Sequence, residues 1–340
     1  MRDTLHASAV RRVAVVIVSY RCAALTVDCL RSLQTESAHP GIALGVVVVD
    51  NASGDHAEIA AAIAREGWSS WVELVEAPRN GGFAYGNNLG FAHAARRFDP
   101  HYLHVLNPDT RVKPGAVREL LDFLEKTPAA GIAGSSFENG DGSDWPIAFR
   151  FGSMLSELES GLRIGLVSRL LQRWRVARVM EKKTQAVDWC AGASMMLRRS
   201  LLQTIGGMDE RFFLYFEEAE FCWRARRAGF QTWYVPASRV IHIAGQSTKL
   251  TERNAAPKRL PDYWFESRRR YFHMTLGLAQ ACLTDLLTLA GGALGELKLT
   301  LQGRRDEIVP HYLADVWRHS VLRPKNRALA APLTPRLGTA

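Results

Sequence analysis

Acidic side chains in this chain come at the ends of apolar runs. Asp50 closes the run VVVVD, Asp109 follows YLHVLNP, and Glu217 and Glu218 open the segment FEEAEF. In an open α/β sheet, ligands bind in the crevice beyond the carboxyl ends of the strands, so we expect these side chains to share one site. The close carboxylates of FEEAEF, which include Glu220, repel one another. This repulsion should raise the pKa of at least one of them towards that of a useful base.

Each of these positions also has a purely structural interpretation. Asp50 begins DNASGD, whose Asp, Asn and Ser residues favour an Asx turn or a helix cap. Residues 107–110, Asn-Pro-Asp-Thr, have a sequence that favours a turn. The acids of FEEAEF would lie at a helix start, where the helix dipole favours negative charge. Trp189 offers a flat face to a sugar but is equally suited to a core. A lone histidine such as His242 is more often a satisfied polar group than a ligand.

The elements around these residues alternate between strand and helix. Residues 13–18 (VAVVIV) and 46–49 (VVVV) are β-branched runs, typical of strands that are buried on both faces. Residues 24–36 between them have helical spacing. This alternation predicts right-handed crossovers and one parallel sheet. Further strands are expected at 72–75, 102–106, 131–135, 193–197 and 231–235, and further helices at 56–66, 86–98, 114–126, 200–205 and 217–228.

The basic charge of the chain is concentrated in two segments. The 340 residues carry a formal net charge of +9. Residues 146–186 alone carry +5 and residues 251–340 carry +6, so the rest of the chain is slightly acidic. Such charge attracts nucleic acid, anionic lipid or phosphorylated ligands. Because no nucleic-acid motif accompanies it, we expect lipid headgroups and diphosphates as partners, and no nucleic acid.

Cysteine usage and hydropathy bear on location. Five cysteines without CxxC spacing indicate free thiols in a reducing compartment. The first fourteen residues lack the apolar core of a signal peptide. The longest apolar candidate, 271–295, is interrupted by His273, Gln280 and Asp285 and does not reach the roughly 20 consecutive apolar residues of a membrane span. We therefore expect a cytoplasmic protein, either free or peripheral on the inner face of the membrane.

Seven short segments in a fixed order give the chain a family resemblance. They are VAVVIVSY, VVVVDNASGD, RNGGFAYGNN, HVLNPDT, WCAGASMML, GGMDERFFLYFEEAEFCWR and HIAGQS. Together they resemble family 2 glycosyltransferases, most closely the rhamnosyltransferase-like branch, over roughly residues 10–250. The resemblance implies an α/β fold of the GT-A type, with a Rossmann-like, mostly parallel sheet flanked by helices. We expect this catalytic domain at 10–250 with a helical insertion at about 150–186, a basic helical region at 251–322 and a loose tail at 323–340.

The resemblance assigns the early segments to the nucleotide. The residue that matches Asp50 accepts hydrogen bonds from the pyrimidine base, which suits an imide N–H. Ser19 and Tyr20 would flank the same pocket. The expected residues of the nucleoside and ribose side are Asn51, Asn80, Gly81, Asn87 and Asn88.

The resemblance also implies a divalent cation. Many of these enzymes have Asp-x-Asp, whose last residue binds Mn²⁺ or Mg²⁺ bridging the donor diphosphate, and Asp109 matches that residue. Such hard ions prefer carboxylate and phosphate oxygens. Asn107 replaces the first Asp, so metal affinity should depend on the donor phosphates. His242 matches a further metal ligand of several relatives.

The acidic segment would supply the general base. The family pattern Glu-Asp-x-Asp uses its second acid as base, which corresponds to Glu218 here, with Glu217 as the substitute. Glu220 takes the place of the last Asp. The strand that holds Trp189, Gly192 and Ala193 would border the donor sugar and the acceptor.

These implications together describe an inverting, metal-dependent transferase. The best donor is dTDP-rhamnose, although the base pocket suits UDP-sugars almost as well, and the acceptor is a lipid-linked glycan or polysaccharide of the bacterial envelope. The C-terminal basic region either packs on the catalytic domain, contacts an anionic membrane, or does both. The alternative function is a non-catalytic sugar-nucleotide or glycan-binding protein of the same fold. A dinucleotide enzyme would have GxGxxG where this chain has SYRCAA.

Overall fold

The computed structural model describes residues 10–145, 147–243, 257–329 and 332–336. In the first part of the chain, strands and helices alternate as expected. The elements are β1 (Arg11–Ser19), α1 (Ala23–Ser37), β2 (Ile42–Asp50), α2 (His56–Arg65), β3 (Val72–Glu76), α3 (Gly82–Phe98), β4 (Tyr102–Leu106), β5 (Thr110–Val112), α4 (Ala116–Lys126) and β6 (Ala130–Glu138).

The second part of the chain has short strands, apart from the long strand β12, and then becomes helical. Its elements are β7 (Asp144–Trp145), β8 (Ile147–Phe149), α5 (Met154–Leu162), α6 (Gly165–Leu170), β9 (Ala177–Val179), β10 (Gln185–Val187), β11 (Ser194–Arg198), α7 (Arg199–Ile205), α8 (Glu217–Arg227), β12 (Gln231–His242), α9 (Asp262–Leu276), α10 (Leu278–Leu301) and α11 (Tyr312–His319). The region expected to be a helical insertion at 150–186 thus also contains β9.

One mixed sheet carries the site. Its strand order is β10-β12-β6-β11-β4-β1-β2-β3, with β5 on β12 and β7 on β6. β3, β2, β1 and β4 are parallel, as are β6 and β12. β11 runs antiparallel to both β4 and β6. The prediction of a mostly parallel sheet is confirmed. The narrower expectation of one parallel sheet is wrong, because β11 enters from the long insertion and not through a β-α-β crossover.

Helices cover both faces of the sheet. On one face, Leu30 and Leu33 of α1 pack with Val13, Val15 and the apolar residues of α2 and α4. On the other face lie α3, α7 and α8. α3 lies so close to β1 that a Cβ at its Gly90 would be 2.3 Å from Val16. The strands are therefore buried on both faces, as their β-branched runs predict.

The C-terminal helices form an extension that packs on the insertion. Glycines allow α5 and α10 to touch, since a Cβ on Gly295 would be 2.1 Å from the carbonyl oxygen of Gly161. In the tail, the carbonyl oxygen of Pro335 accepts from Gly207 N (2.7 Å), and Leu333 O accepts from Glu210 N (3.0 Å).

α10 differs from the sequence-based expectation in one respect. With 24 residues and a mean hydropathy of 1.3 over an 18-residue window, it is long and apolar enough to cross a membrane by length and composition. Asp285 interrupts the run of apolar residues, so the sequence alone argues against a membrane span. The mean hydropathy over 18 residues nevertheless stays high with this one charged residue included. The helix is 39% buried inside the protein over that window.

A buried ion pair joins α9, α5 and α10. The guanidinium of Arg268 donates to Asp285 (2.7 Å), to Glu157 (2.7 Å) and to Thr288 (2.6 Å). The second oxygen of Asp285 accepts from the hydroxyl of Ser320 (2.6 Å). Arg268 and Asp285 are both almost completely buried. Each charge is thus stabilised only by its partners inside the protein.

We predict that Asp285→Ala lowers the free energy of unfolding by about 3–5 kcal/mol, because it leaves a buried guanidinium short of its partner. Urea unfolding followed by circular dichroism measures the change. Glu307→Ala is the control, since it removes a carboxylate from an exposed pair with Arg304 and should leave the midpoint unchanged. Equal midpoints for the two variants would contradict a stabilising role for the buried pair.

Candidate functional site

The carboxyl ends of β1 and β2 place Ser19 opposite Asp50. One oxygen of Asp50 accepts from the backbone N–H (3.1 Å) and hydroxyl (2.5 Å) of Ser53. The other oxygen, Oδ2, is buried and has no hydrogen-bond partner among the described residues. The turn interpretation of Asp50 and its ligand role are therefore compatible, because each uses a different oxygen.

The two residues that end β1 have different environments. The Ser19 side chain is fully buried, and its hydroxyl bonds to that of Thr26 (2.8 Å) in α1. Tyr20 is partly exposed, with the guanidinium of Arg21 5.2 Å from its ring centroid. Ser19 thus fixes the start of α1, and Tyr20 lies at the surface of the crevice.

A network of amides joins the loop after β2 to the start of α3. The side-chain amide of Asn51 donates to Asn80 Oδ1 (3.0 Å) and to the carbonyl of Gly82 (3.2 Å), and it accepts from Gly81 N (3.4 Å). Asn87 donates to the carbonyl of Phe83 (2.9 Å), and its own Oδ1 is buried with no partner in the described ranges. Asn87 and Asp50 therefore each hold one unused acceptor.

Asn88 makes its bonds to the protein itself. Its amide N–H₂ donates to Met208 O (2.8 Å) and Glu210 (2.9 Å), and its oxygen accepts from Met208 N (2.9 Å). The side chain therefore ties α3 to the loop that precedes the acidic helix.

The backbone at Gly82 touches that same loop. Gly82 has φ +85°, and a Cβ there would be 1.9 Å from the carbonyl oxygen of Phe213. That oxygen accepts a hydrogen bond from Phe83 N (2.8 Å). Only glycine fits this conformation and this spacing.

Asp109, which follows β4, lies next to His242, the last residue of β12. His242 Nε2 lies 3.4 Å from Asp109 Oδ1, which is buried and accepts no hydrogen bond from the residues that the structure describes. The imidazole also stacks against Trp145, with the ring centroids 5.8 Å apart. A carboxylate oxygen and an imidazole nitrogen suit Mn²⁺, and the carboxylate suits Mg²⁺. Within the described ranges no third His, Cys, Asp or Glu joins them, so the remaining ligands would come from phosphate and water. Residues 244–247 of the HIAGQS segment lie outside the described residues.

The segment that enters β11 links Asp109 to the acidic helix. Ala193 O accepts from Asn107 N (3.0 Å), two residues before Asp109. A Cβ on the neighbouring Gly192 would be 3.1 Å from the Phe83 ring and 3.9 Å from Glu218 Cβ. Residues 192–193 thus bring the expected metal-binding, donor-side and acidic residues to one place.

The acidic helix α8 begins with buried carboxylates. Burial, together with the neighbouring Glu218 carboxylate, holds the pKa of Glu217 well above its usual value. Burial also raises the pKa of Glu218, although backbone N–H donors at Glu218 and Gly192 oppose it. In both residues Oε2 is buried and has no hydrogen-bond partner within the described part of the chain. The expected raised pKa is confirmed, with burial rather than repulsion as the larger cause.

Glu220 differs from these two carboxylates. It is fully buried and accepts from Arg224 (2.6 Å), which also donates to the carbonyls of Ile205 and Gly207. The two residues are four apart on one helix, the spacing at which side chains of opposite charge pair. The pair anchors α8 to the end of α7.

Trp189 packs against the insertion. Its ring stacks on Phe149 at 3.9 Å between centroids, and its indole N–H donates to Arg150 O (2.9 Å). One face and the polar edge of the indole are therefore already used within the protein.

Sequence reasoning missed a buried polar chain under the site. His104 Nε2 bonds to the hydroxyl of Ser194 (2.9 Å), which bonds through Ser135 to Ser238. Burial lowers the pKa of His104 to about 3, so the ring is neutral. Its only sequence signal is a histidine inside the apolar strand YLHVL. The contact role of Phe213 was also missed, and no local pattern marks it.

Comparisons with known proteins place this geometry among glycosyltransferases. The chain is 33% identical over 153 residues to an N-acetylglucosaminyl-diphospho-decaprenol L-rhamnosyltransferase of Mycobacterium tuberculosis, covering 42% of this chain and 47% of that protein. It is 27% identical over 166 residues to rhamnosyltransferase WbbL of Escherichia coli K12, covering 48% and 61%. The matches thus span about half the length of these curated relatives.

A solved structure shows the same fold at low identity. The mannosyltransferase PcManGT from Pyrobaculum calidifontis, in complex with GDP-Man and Mn²⁺, superposes with a TM-score of 0.52 and 16% identity, over 86% of this chain and 75% of that one. The model of the family described as glycosyltransferase-like family 2 matches residues 11–256. With that match over most of its length, the GT-A arrangement of its sheet and rhamnosyltransferases among its relatives, the chain belongs to glycosyltransferase family 2.

Proposed function

We propose that the protein is an inverting, metal-dependent transferase that moves a sugar from a nucleoside diphosphate to a lipid-linked glycan or polysaccharide acceptor of the bacterial cell envelope. The best donor is dTDP-rhamnose. One observation carries the proposal: residues 192–193 join the Asp109–His242 pair to the carboxylates of Glu217 and Glu218, whose pKa values are raised by burial. A transferase needs one group for the leaving diphosphate and one base for the acceptor.

The nucleotide would bind at the ends of β1 and β2. The unpaired Oδ2 of Asp50 can accept the imide N–H of a pyrimidine base. Thymine and uracil both carry that N–H, so Asp50 alone serves dTDP and UDP donors alike. Preference for rhamnose is supported by the two relatives that are named rhamnosyltransferases. Asn51 and Asn80 would shape the ribose side through the loop that they hold together.

Asp109 and His242 would hold the divalent cation, Mn²⁺ or Mg²⁺. When bound, the cation supplies positive charge that neutralises the departing diphosphate. The Mn²⁺ in the PcManGT complex supports this assignment. Since Asn107 replaces a carboxylate, the protein alone offers few charged ligands. We therefore expect tight metal binding only together with the donor.

Glu218 would act as the general base. Its raised pKa makes the ionised carboxylate a stronger base than an exposed glutamate. The acceptor oxygen forms a bond to the anomeric carbon while the bond from that carbon to the diphosphate oxygen breaks. The acceptor proton passes to the Glu218 carboxylate. Attack opposite to the leaving group inverts the anomeric centre. Glu217 is the substitute base, and its deeper burial leaves it further from solvent.

The acceptor and location follow from the same proposal. A lipid-linked acceptor presents its sugar at the membrane surface, where a peripheral protein on the cytoplasmic face meets it. The M. tuberculosis relative is named for a diphospho-decaprenol acceptor, which supports this choice.

We predict that Glu218→Gln lowers the transfer rate by about 10²–10⁴-fold while donor binding is retained, because only the base is removed. Asp109→Ala should abolish both transfer and the response to Mn²⁺ or Mg²⁺. A panel of dTDP- and UDP-sugars, assayed with a membrane extract as acceptor source, measures transfer, and calorimetry measures dTDP binding. Glu58→Gln, an exposed change on α2, is the control.

The panel also separates the alternative function. If the wild type binds dTDP or UDP but transfers no sugar to any acceptor, the protein is a sugar-nucleotide-binding protein. If Asp109→Ala keeps full metal-dependent transfer, Asp109 is not the metal ligand.

We predict that Glu217→Gln stabilises the fold at neutral pH by on the order of 1 kcal/mol, since one pKa unit corresponds to about 1.4 kcal/mol. The folded-state pKa of Glu217 is raised, so its ionisation destabilises the folded state. The penalty is absent below the unfolded pKa of about 4.3 and grows as the pH rises towards the folded pKa. The difference in unfolding midpoint between variant and wild type should therefore widen with pH across that window. A constant difference from pH 4 to 8, or the same behaviour in Glu58→Gln, would contradict burial of the charge.

A further inference from the structure

Helix α10 has two faces of different character. The inner face packs on α5, α9 and α11 and contains Asp285, which is paired with Arg268. The outer face contains exposed leucines and alanines. These are Leu278, Ala279, Leu283, Leu286, Ala290, Ala293, Leu294, Leu297 and Leu301, with the leucines 38–78% exposed.

The outer face forms an apolar stripe along the whole helix. A helix of 24 residues is about 36 Å long at 1.5 Å per residue. Along that length the exposed positions are all apolar except Gln280. Monomeric soluble proteins rarely expose continuous apolar patches above a few hundred Å². The face therefore requires an occupant.

Basic side chains surround the C-terminal end of this face. The carbonyl of Arg163 accepts from Lys298, and its guanidinium donates to Glu307 O (3.4 Å), so the start of α6 lies beside the end of α10. α6 buries none of its residues and exposes two leucines with Arg169. The basic residues of α6 and its flanking residues are Arg163, Arg169 and Arg173, and those of the last turn of α10 and the residues after it are Lys298, Arg304 and Arg305. The acidic residues in this second part are Glu296, Asp306 and Glu307, the last of which pairs with Arg304. The two basic segments of the sequence thus meet at one place.

We propose that the outer face of α10 lies flat on an anionic lipid bilayer, with its leucines in the interface and these basic residues at the headgroups. An apolar helix face with a basic border is the arrangement that binds such surfaces. Approach to a surface rich in phosphate would be attracted by the excess of positive charge.

The structure argues against the two other placements of α10. If α10 crossed the bilayer, Asp285 would leave its bonds to Arg268 and Ser320, and the glycine contact with α5 would open. If two copies paired through this face with their helices parallel, the same basic border would meet itself. Docking on a lipid surface neither breaks the buried contacts of Asp285 nor brings basic residues of two copies together.

This docking would position the proposed active site, an extension that rests on the proposed function. α9 holds the loop before the acidic helix: Ser267 donates to Leu214 O (3.2 Å), and Arg270 donates to Arg211 O (2.6 Å). The Tyr263 ring also lies 5.2 Å from that of Phe213. The helical extension therefore connects α10 to Glu217 and Glu218 through packed residues, and a docked protein would hold its base at a fixed height above the headgroups.

Vesicle sedimentation of the full chain tests the proposal. The probes are vesicles of phosphatidylcholine alone and of phosphatidylcholine mixed with phosphatidylglycerol. We expect the wild type to prefer the anionic vesicles, and Leu286→Glu/Leu294→Glu/Leu297→Glu to bind them at least about tenfold more weakly. Arg169→Gln/Arg173→Gln/Arg305→Gln should lose the preference for phosphatidylglycerol. Val10→Glu, which changes an exposed apolar residue at the start of β1, is the matched control.

Two further measurements distinguish the possible outcomes: sedimentation equilibrium detects dimers, and donor hydrolysis detects enzyme activity. Equal vesicle binding by the wild type and the leucine variant overturns the proposal. Absence of vesicle binding by the wild type also overturns it. If sedimentation equilibrium then shows a wild-type dimer that the leucine variant does not form, α10 is a contact between two copies of the chain. Vesicle binding without hydrolysis of any donor would leave the docking intact and refute the proposed function instead.

Discussion

A single backbone contact, between Gly82 and the carbonyl of Phe213, sets the spacing of the site. Gly82 opens α3 on the side expected for the nucleotide, and Phe213 lies four residues before the acidic helix. Since a Cβ at position 82 would be 1.9 Å from the Phe213 oxygen, no other residue allows the two to approach. Asn88 reinforces the contact through Met208 and Glu210. The next loop residues, Tyr215 and Phe216, have positive φ of 70° and 69°, a strain of about 1–3 kcal/mol each that fixed packing on both sides must offset.

The antiparallel strand β11 completes the site for a related reason. A parallel strand would need a crossover connection, and its entering residues would come from the opposite edge of the sheet. By running antiparallel between β4 and β6, β11 begins at the edge where β4 ends, so Ala193 bonds to Asn107 and Gly192 faces Phe83 and the acidic helix. Glycine at 192 matters because a side chain there would press on the Phe83 ring at 3.1 Å.

The sequence predicts the ends of strands better than it predicts contacts between them. Asp50 and Asp109 follow apolar runs, and both retain a buried oxygen without a partner. An apolar strand carries no sign of its direction, so the reversal of β11 could not be foreseen. The resemblance implies ligand-side roles for Asn88 and Glu220, and in the folded protein their side chains bond to Met208 and Arg224. Those partners lie 120 and 4 residues away, and only the closer one could be anticipated from helical spacing.

The acidic helix start favours a chemical role over the structural interpretation. The helix dipole favours acids at this position, but it gives no reason to bury them. All three keep a buried Oε2 without a hydrogen-bond partner in the part of the chain that the structure describes, but Glu220 has a cation, Arg224, on its other oxygen. Burial of this kind opposes folding, because the ionised form loses its hydration. It also makes the carboxylate a better proton acceptor. The same desolvation thus destabilises the fold and makes the carboxylate more basic. A more basic carboxylate is what a transferase needs in order to deprotonate a sugar hydroxyl.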